Sequence, residues 1–330
     1  MPETALVTIV IPTYNAARWL GEAVESALAQ THDNLEILVL DNGSTDNTPE
    51  IMRAHGDPRL TYDRIEENIG FAGNVTRGIR AATGDYFMVL GADDILEPGF
   101  VAAALARLEA APGAEMLHGG AIWIDDDGKP IGAFNGNWPA SSSGDDAFIR
   151  AFTEGFCYSC VISRTAPVKA LGAMDEGWGM ISDSWLFLRL CLLGDVLFLE
   201  EPLVRYRVRE TSLSFRLYAD GSMFDDHLAG LEEAFSWPEA AHLRPRIREA
   251  RRAIARQAFD TLHMTRLGAG LSGTLRKAAM VARAEPGILL SPGAWMRFIF
   301  ASLPPPLINT LRTLRRKRRK LALAARNVRP

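Results

Sequence analysis

The 330-residue sequence predicts an α/β protein, with a doubly wound sheet in its first two thirds and a helical C-terminal extension. Three observations lead there. Apolar runs of strand length alternate with helical stretches four times before Asp94, the rhythm of a sheet wound with crossover helices. Asp41 and Asp93 stand just where two of those runs end. Beyond Asp225 the composition turns to Ala, Leu and Arg at helical spacing.

The elements follow in order. "LVTIVIP" (Leu6 to Pro12) is continuously apolar and β-branched, as in a strand covered on both faces of a parallel sheet. After "TYN", Leu20, Val24, Ala27 and Leu28 form one stripe of a helix over Ala16 to Gln30. "LEILVLD" (Leu35 to Asp41) is a second buried strand, closed by the polar turn "NGSTDNT". Thr48 and Pro49 then open a helix, because proline at the first helical position loses no needed donor. "LTYDRIE" (Leu60 to Glu66) reads as a strand, Ala72 to Ala82 as a helix, and "YFMVLGAD" as the fourth strand. Ligands of open α/β sheets sit beyond the carboxyl ends of the strands, which makes Asp41 and Asp93 candidates for a site.

Phe100 to Ala111 is a helix, and "EMLHGGAIWIDDDGKPIGAF" reads as two strands joined by a hairpin with Asp-Gly in its turn. Asp125, Asp126 and Asp127 are turn acids on that reading. "NGNWPASSSGDD" reads as loop and "FCYSCVISR" as an apolar segment. A glycine-broken loop from "MDEGWGM" enters a helix near Asp183, and "VLFLEEPLVRYRV" is a last strand pair around Pro202. The composition changes between Ser214 and Asp225, which divides the chain into a domain of residues 1–220 and a helical region of residues 221–330.

Cys157, Cys160 and Cys191 are too few, and odd in number, for a disulfide framework. Without a second pair to build a zinc site, they read as ordinary thiols. The N-terminal apolar run is only strand length and has no basic region before it, so no signal peptide is expected and the cytoplasm is the default compartment. Nine basic residues and no acid lie between Arg312 and Pro330, against 27 basic and 40 acidic residues in the rest. An acidic body with a basic tail suggests a separate partner for the tail, and the acidic body speaks against nucleic acid.

"PTYN", "LDNGSTDNT", "LGADDILEPG" and "SDSWLFLRL" occur in that order. Together they resemble the family 2 inverting glycosyltransferases over roughly Val7 to Ser214. The resemblance implies a GT-A (nucleotide-diphospho-sugar transferase) fold with a mixed sheet. It also implies transfer of a sugar from a nucleoside-diphosphate donor, UDP-linked by preference, to a hydroxyl of a glycan or lipid-linked acceptor. By the same resemblance Pro12, Thr13 and Tyr14 lie on the loop that touches the nucleoside, and Asp41 accepts from a ring N–H of the base. Asp93 is the expected ligand of a divalent cation, Mn²⁺ or Mg²⁺, on the diphosphate. Asp94 supports it or orients the donor sugar. Inversion in one displacement needs a general base on the acceptor side, and Asp183 is matched to that role; a helix cap is its competing reading. Trp178 and Trp185 flank it and suit sugar stacking or core packing equally.

Three positions depart from the family pattern. Gly91 stands where the first acid of an Asp-x-Asp motif is common, Ser182 where a glutamate precedes the base, and Arg209 where many relatives carry a histidine that completes a metal site. Arginine does not ligate a cation, but its fork binds phosphate. The expectation is therefore that Arg209 shares the neutralisation of the diphosphate and that the cation is weakly held. The departures also keep a second reading open: a catalytically weakened nucleotide-sugar-binding component of a glycan assembly complex.

"ILLSPGAWMRFIFASLPPPLINTL" (Ile288 to Leu311) is apolar but broken by Pro292 and by Pro304 to Pro306, short of the roughly 20 uninterrupted residues a span requires. "WMRFIFASL" followed by the basic cluster from Arg312 to Lys320 suits an interfacial segment beside a polybasic patch, peripheral on the inner face of the cell membrane.

Overall fold

A computed structural model of the chain describes residues 4–134, 136–209, 222–308 and 310–311. The composition change near Ser214 and the basic cluster from Arg312 onward lie outside the described residues.

Four parallel strands open the fold: β1 (Val7–Thr13), β2 (Leu35–Asn42), β3 (Leu60–Ile65) and β4 (Tyr86–Val89). They alternate with helices α1 (Leu20–Leu28), α2 (Thr48–Arg53) and α3 (Gly70–Ala81). Helix α1 coincides with its apolar stripe and starts four residues later than the expected Ala16, after a turn at residues 17–19. Ile9, Ile11, Ile37 and Val39 have no exposed surface, which is what uninterrupted apolar strands require. Strand β3 lies at the sheet edge and is accordingly mixed in character.

The sheet continues as β3-β2-β1-β4-β10-β6-β11-β9, with β6 (Ala114–Gly119), β9 (Ser141–Ser142), β10 (Val161–Arg164) and β11 (Asp195–Leu199). Strand β10 runs antiparallel to both neighbours, β4 and β6, so the sheet is mixed. Its reversed direction carries the residues just before Val161 to the carboxyl end of β4. Helix α4 (Phe100–Glu109) buries Phe100, Val101, Ala104, Leu105 and Leu108 in the common core.

A second sheet of four strands has the order β5-β12-β7-β8, formed by β5 (Ile95–Leu96), β12 (Val204–Arg207), β7 (Ala121–Ile124) and β8 (Pro130–Phe134). The expected hairpin from 115 to 134 is thus corrected. The chain breaks after Gly119 and changes sheets, and only β7 and β8 form the Asp-Gly hairpin. Helices α5 (Gly144–Glu154) and α6 (Thr165–Leu171) also occupy stretches that do not read as helix. Ser143 caps α5 by accepting from the Asp146 N–H, and Asp145 and Asp146 fall in its first turn, where carboxylates favour a helix. Helix α7 (Ser182–Cys191) begins at the expected place. Trp178 and Trp185 are buried, both packed on Trp237, so they belong to the core and not to a sugar platform.

Chain contacts divide the molecule into two compact units, residues 1–209 with 230–247, and residues 210–229 with 248–330. Both sheets lie in the first. Helix α8 (Ser222–Ala234) runs through the sequence boundary between them. The second unit holds α9 (Ile247–Asp260), α10 (Leu262–Ala284) and α11 (Pro292–Ser302). Helix α10 kinks at Gly270, whose φ of 69° is left-handed. Among the described residues no helix is long and apolar enough to cross a membrane.

Candidate active site

The loops after β1 and β2 are tied together by one residue. Asn15 takes a left-handed φ of 49°, a conformation asparagine tolerates better than most side chains. Its N–H donates to Ser44 Oγ at 2.9 Å, and its Oδ1 accepts from Thr45 N–H at 2.8 Å. Tyr14 stays half exposed beside it, while Thr13 is buried with its hydroxyl donating back to the Ile11 carbonyl; Pro12 is half-buried. Asp41 is fully buried. Its Oδ1 accepts from Ser44 N–H at 2.8 Å, its Oδ2 accepts from the Tyr62 hydroxyl at 2.5 Å, and Arg64 Nε stands 3.7 Å away. Burial and this carboxylate together push the Tyr62 phenol well up.

Beyond β4 the chain makes a tight turn in which Asp94 N–H donates to the Gly91 carbonyl at 3.0 Å. The Asp94 carboxyl faces inward. It accepts from Ser159 Oγ at 2.5 Å and from Arg207 N–H at 2.8 Å, and Gly91 N–H donates to the same Ser159 oxygen at 3.0 Å. Burial, with Asp93 beside it, pushes this carboxyl up to about 7. A Cβ on residue 91 would stand 2.6 Å from Asp94 Oδ2 and 3.3 Å from Asp93 Oδ1. The glycine is therefore demanded by the inward carboxyl. Gly91→Asp is expected to lower stability by about 1–3 kcal/mol, the usual cost of overpacking, without strengthening nucleotide binding. A urea melt at or above the wild-type midpoint would contradict that.

The second sheet supplies what surrounds Asp93. Arg205 pairs with Ile95 across the antiparallel β5–β12 register, which brings Arg207 level with Asp93. Arg207, almost without exposed surface, donates from Nε to the Asp93 carbonyl at 2.8 Å and from Nη1 to the Asp125 and Asp126 carbonyls at 3.0 Å. Its Nη2 meets Glu22 Oε2 at 2.6 Å. Two residues on, Arg209 Nη2 lies 2.7 Å from Asp93 Oδ2, its guanidinium 4.7 Å from the centre of the Trp19 ring. The Trp19 indole is held in turn by its N–H on the Asp126 carbonyl. Asp125 to Asp127 are turn acids as expected, Asp125 Oδ1 accepting from the N–H groups of Asp127 and Lys129.

Asp183 lies inside the first turn of α7, whose cap position is Ile181. Asp183 is therefore not the cap residue, although its carboxylate serves a first-turn N–H as a capping group would. Its Oδ1 accepts from Ser184 N–H at 2.7 Å, and burial pushes its carboxyl up to about 6. The Tyr158 phenol is pushed up by burial, then by Asp94, Asp93 and Asp183. Phe71 meets Tyr158 edge-on at 5.6 Å. The Ser182 hydroxyl is buried with no hydrogen-bond partner among the described residues. Sequence reading thus located the acids but missed Trp19, Tyr158, Ser159 and Arg207.

A divalent cation on a diphosphate is commonly held through one or two protein carboxylates, with phosphate oxygens and waters completing its shell. Asp93 is ion-paired, Asp94 is turned inward, residue 91 has no side chain, and among the described residues no three His, Cys, Asp or Glu side chains gather to hold an ion. With Asp93 already paired to Arg209, the residues present do not by themselves fit a cation.

The family model described as Glycosyl transferase family 2 matches residues 8–158. The succinoglycan biosynthesis protein ExoO of Rhizobium meliloti is 35% identical over 129 residues, 39% of this chain and 37% of that one. The chain spans 64% and 34% of the lengths of two further curated relatives, both called uncharacterized glycosyltransferases. Among solved structures, S. aureus TarS 1-349 in complex with UDP-GlcNAc superposes with a TM-score of 0.56 at 16% identity, covering 89% of this chain and 79% of that one. The mannosyltransferase PcManGT from Pyrobaculum calidifontis, in complex with GDP-Man and Mn²⁺, gives 0.56 at 18% identity, covering 91% and 86%. At such identities these two speak for the fold, which is the GT-A fold.

Proposed function

We propose, for a chain whose residues 8–158 match the model of glycosyl transferase family 2, that it is an inverting glycosyltransferase moving a sugar from a nucleoside diphosphate to a hydroxyl of a glycan or lipid-linked acceptor. One observation carries the reading: Asp93 and Asp94 are fixed beyond the end of β4 by Arg207 and Ser159, and a further carboxyl, Asp183, is buried in the first turn of α7 and lifted to about 6. A base with a pKa near working pH is the efficient kind. In this scheme Asp183 takes the proton of the acceptor hydroxyl as its oxygen bonds to the anomeric carbon. The bond from that carbon to the diphosphate breaks on the opposite face, and the nucleoside diphosphate leaves with the electron pair.

The base end of the donor lies on Tyr14, in the loops fastened by Asn15, with Asp41 fixing the second loop through Ser44 and Tyr62. Asp41 reaches a base N–H only through a lone pair those two partners leave open. Asp93, the carboxylate that would meet a divalent cation on the diphosphate, is ion-paired with Arg209. UDP is the preferred leaving group, in line with the UDP-GlcNAc bound by TarS, while the GDP-Man of PcManGT makes guanosine donors the alternative to test. The deciding assay follows nucleoside diphosphate release from UDP-N-acetylglucosamine, UDP-glucose and GDP-mannose with short glycans as acceptors. Release with one donor and an inverted anomer in the product is expected. Release with none, or a retained anomer, would overturn the proposal.

We also place the second unit at a membrane surface. Trp295, Met296 and Ile299 of α11 are exposed, Met296 to 71% and Ile299 to 61%, and their spacing gathers them on one side of the helix. Residues 248–330 carry eighteen basic and three acidic side chains, the balance that draws a protein to anionic lipid at about 1 kcal/mol per basic residue near the surface. Ending the chain after Ser291, or changing Met296 and Ile299 to serine, is expected to weaken sedimentation with phosphatidylglycerol vesicles about tenfold. Unchanged sedimentation of both variants would remove this part of the reading.

A further inference from the structure

We infer that Arg209 is the resident counter-charge for the donor's diphosphate, so that donor binding needs no divalent cation. The inference rests on the nucleotide-sugar reading above and names what holds the charged middle of that donor.

Four features of the site support it. Arg209 is seated between Asp93, 2.7 Å from its Nη2, and the face of Trp19 at 4.7 Å. A guanidinium has five N–H donors in a planar fork. Asp93 engages Nη2 and the side chain remains 27% exposed, while its Nε–H is buried with no hydrogen-bond partner among the described residues. Donors therefore remain for phosphate oxygens while Asp93 sets the plane of the fork, and the fixed tryptophan ring favours the charge from below. Second, the inward carboxyl of Asp94 and the glycine at 91 leave Asp93 alone of these three positions to meet a cation, and Arg209 already pairs with it. Third, an ion ligated by Asp93 Oδ2 would compete with Arg209 for the same oxygen and would then sit beside the displaced positive charge.

The fourth feature is Arg207, which fixes the geometry without facing the donor. Its Nε holds the Asp93 carbonyl and its backbone N–H holds the Asp94 carboxyl. Asp93 is thereby presented to Arg209 in one orientation.

The test titrates UDP, dTDP and GDP calorimetrically into the full chain, once in chelator and once in Mn²⁺. Wild-type protein is expected to bind one of them with affinities that agree within about threefold in the two media, and Arg209→Ala to lose about tenfold or more in chelator, the worth of charge-assisted hydrogen bonds. Arg209→His, which frees Asp93 and adds a ligand, is expected to bind about tenfold tighter in Mn²⁺ than in chelator. Melting midpoints of the ligand-free variants, expected to stay near wild type, separate loss of binding from loss of fold. Wild-type binding that collapses in chelator, or a folded Arg209→Ala that binds there as well as wild type, overturns this inference alone. Absence of binding by any of the three nucleotides in either medium overturns the glycosyltransferase reading and this inference with it.

Discussion

Asp183→Asn is expected to lower sugar transfer about a thousandfold and to leave nucleoside diphosphate affinity unchanged. The amide keeps the shape of the acid, and Ser184 N–H still finds an oxygen to donate to, but it cannot take a proton. Burial has already raised this carboxyl to about 6, so the fold accommodates a neutral group there. The sign of the pH dependence follows from the same shift. The base works ionised, so kcat/KM rises with pH up to about 6 and levels above it, falling about tenfold per unit on the acid side. Measuring kcat/KM and nucleotide affinity for both proteins decides between the two functional readings. Transfer indifferent to Asp183, with binding retained, would favour the weakened, binding-only component.

Arg207→Ala should be the most damaging single change to stability, at about 3–5 kcal/mol by urea unfolding, the range for removing one partner of a buried charged network. The variant strands the carbonyls of Asp93, Asp125 and Asp126 and leaves Glu22 without its cation. Glu22→Gln should cost only about 1 kcal/mol, because Glu22 is half exposed and water replaces much of what it loses. Equal midpoints for Arg207→Ala and wild type would show that the turn at Asp93 and Asp94 is held by something else.

The first half of the main sheet was legible because its strands are buried on both faces and announce themselves as unbroken apolar runs, Leu6 to Pro12 and Leu35 to Asp41 among them. Helix α5 was legible in principle, through Ser143 as cap and Asp145 and Asp146 after it, but the preceding Gly, Asn, Pro and Ser drew the reading toward loop. The second sheet had no local signal. Strand β5 has two residues, and its partner lies more than a hundred positions later. The candidate site divides the same way: Asp93, Asp94 and Asp183 stand out as acids at the ends of apolar stretches. Arg207 does not, since an arginine in a strand ordinarily faces water, and Ser159 matters only because β10 reverses direction beside β4.

The strand orders bear on how the polypeptide is made. Strand β10 is a wedge between β4 and β6, and β12 a wedge between β5 and β7, each arriving after both of its flanking strands have been synthesised or, for β10, well over sixty residues after β4. At about 5–20 residues per second the nascent chain waits roughly 4–14 s between Val89 and Val161 with the apolar edge of β4 uncovered. An uncovered edge invites pairing with another chain, and such non-local closure is intrinsically slow. Fragments that stop before Arg207 should therefore accumulate as aggregates during expression, even when they contain the whole of the 8–158 match. Translation has to pass β12 before the protein can protect its own sheets.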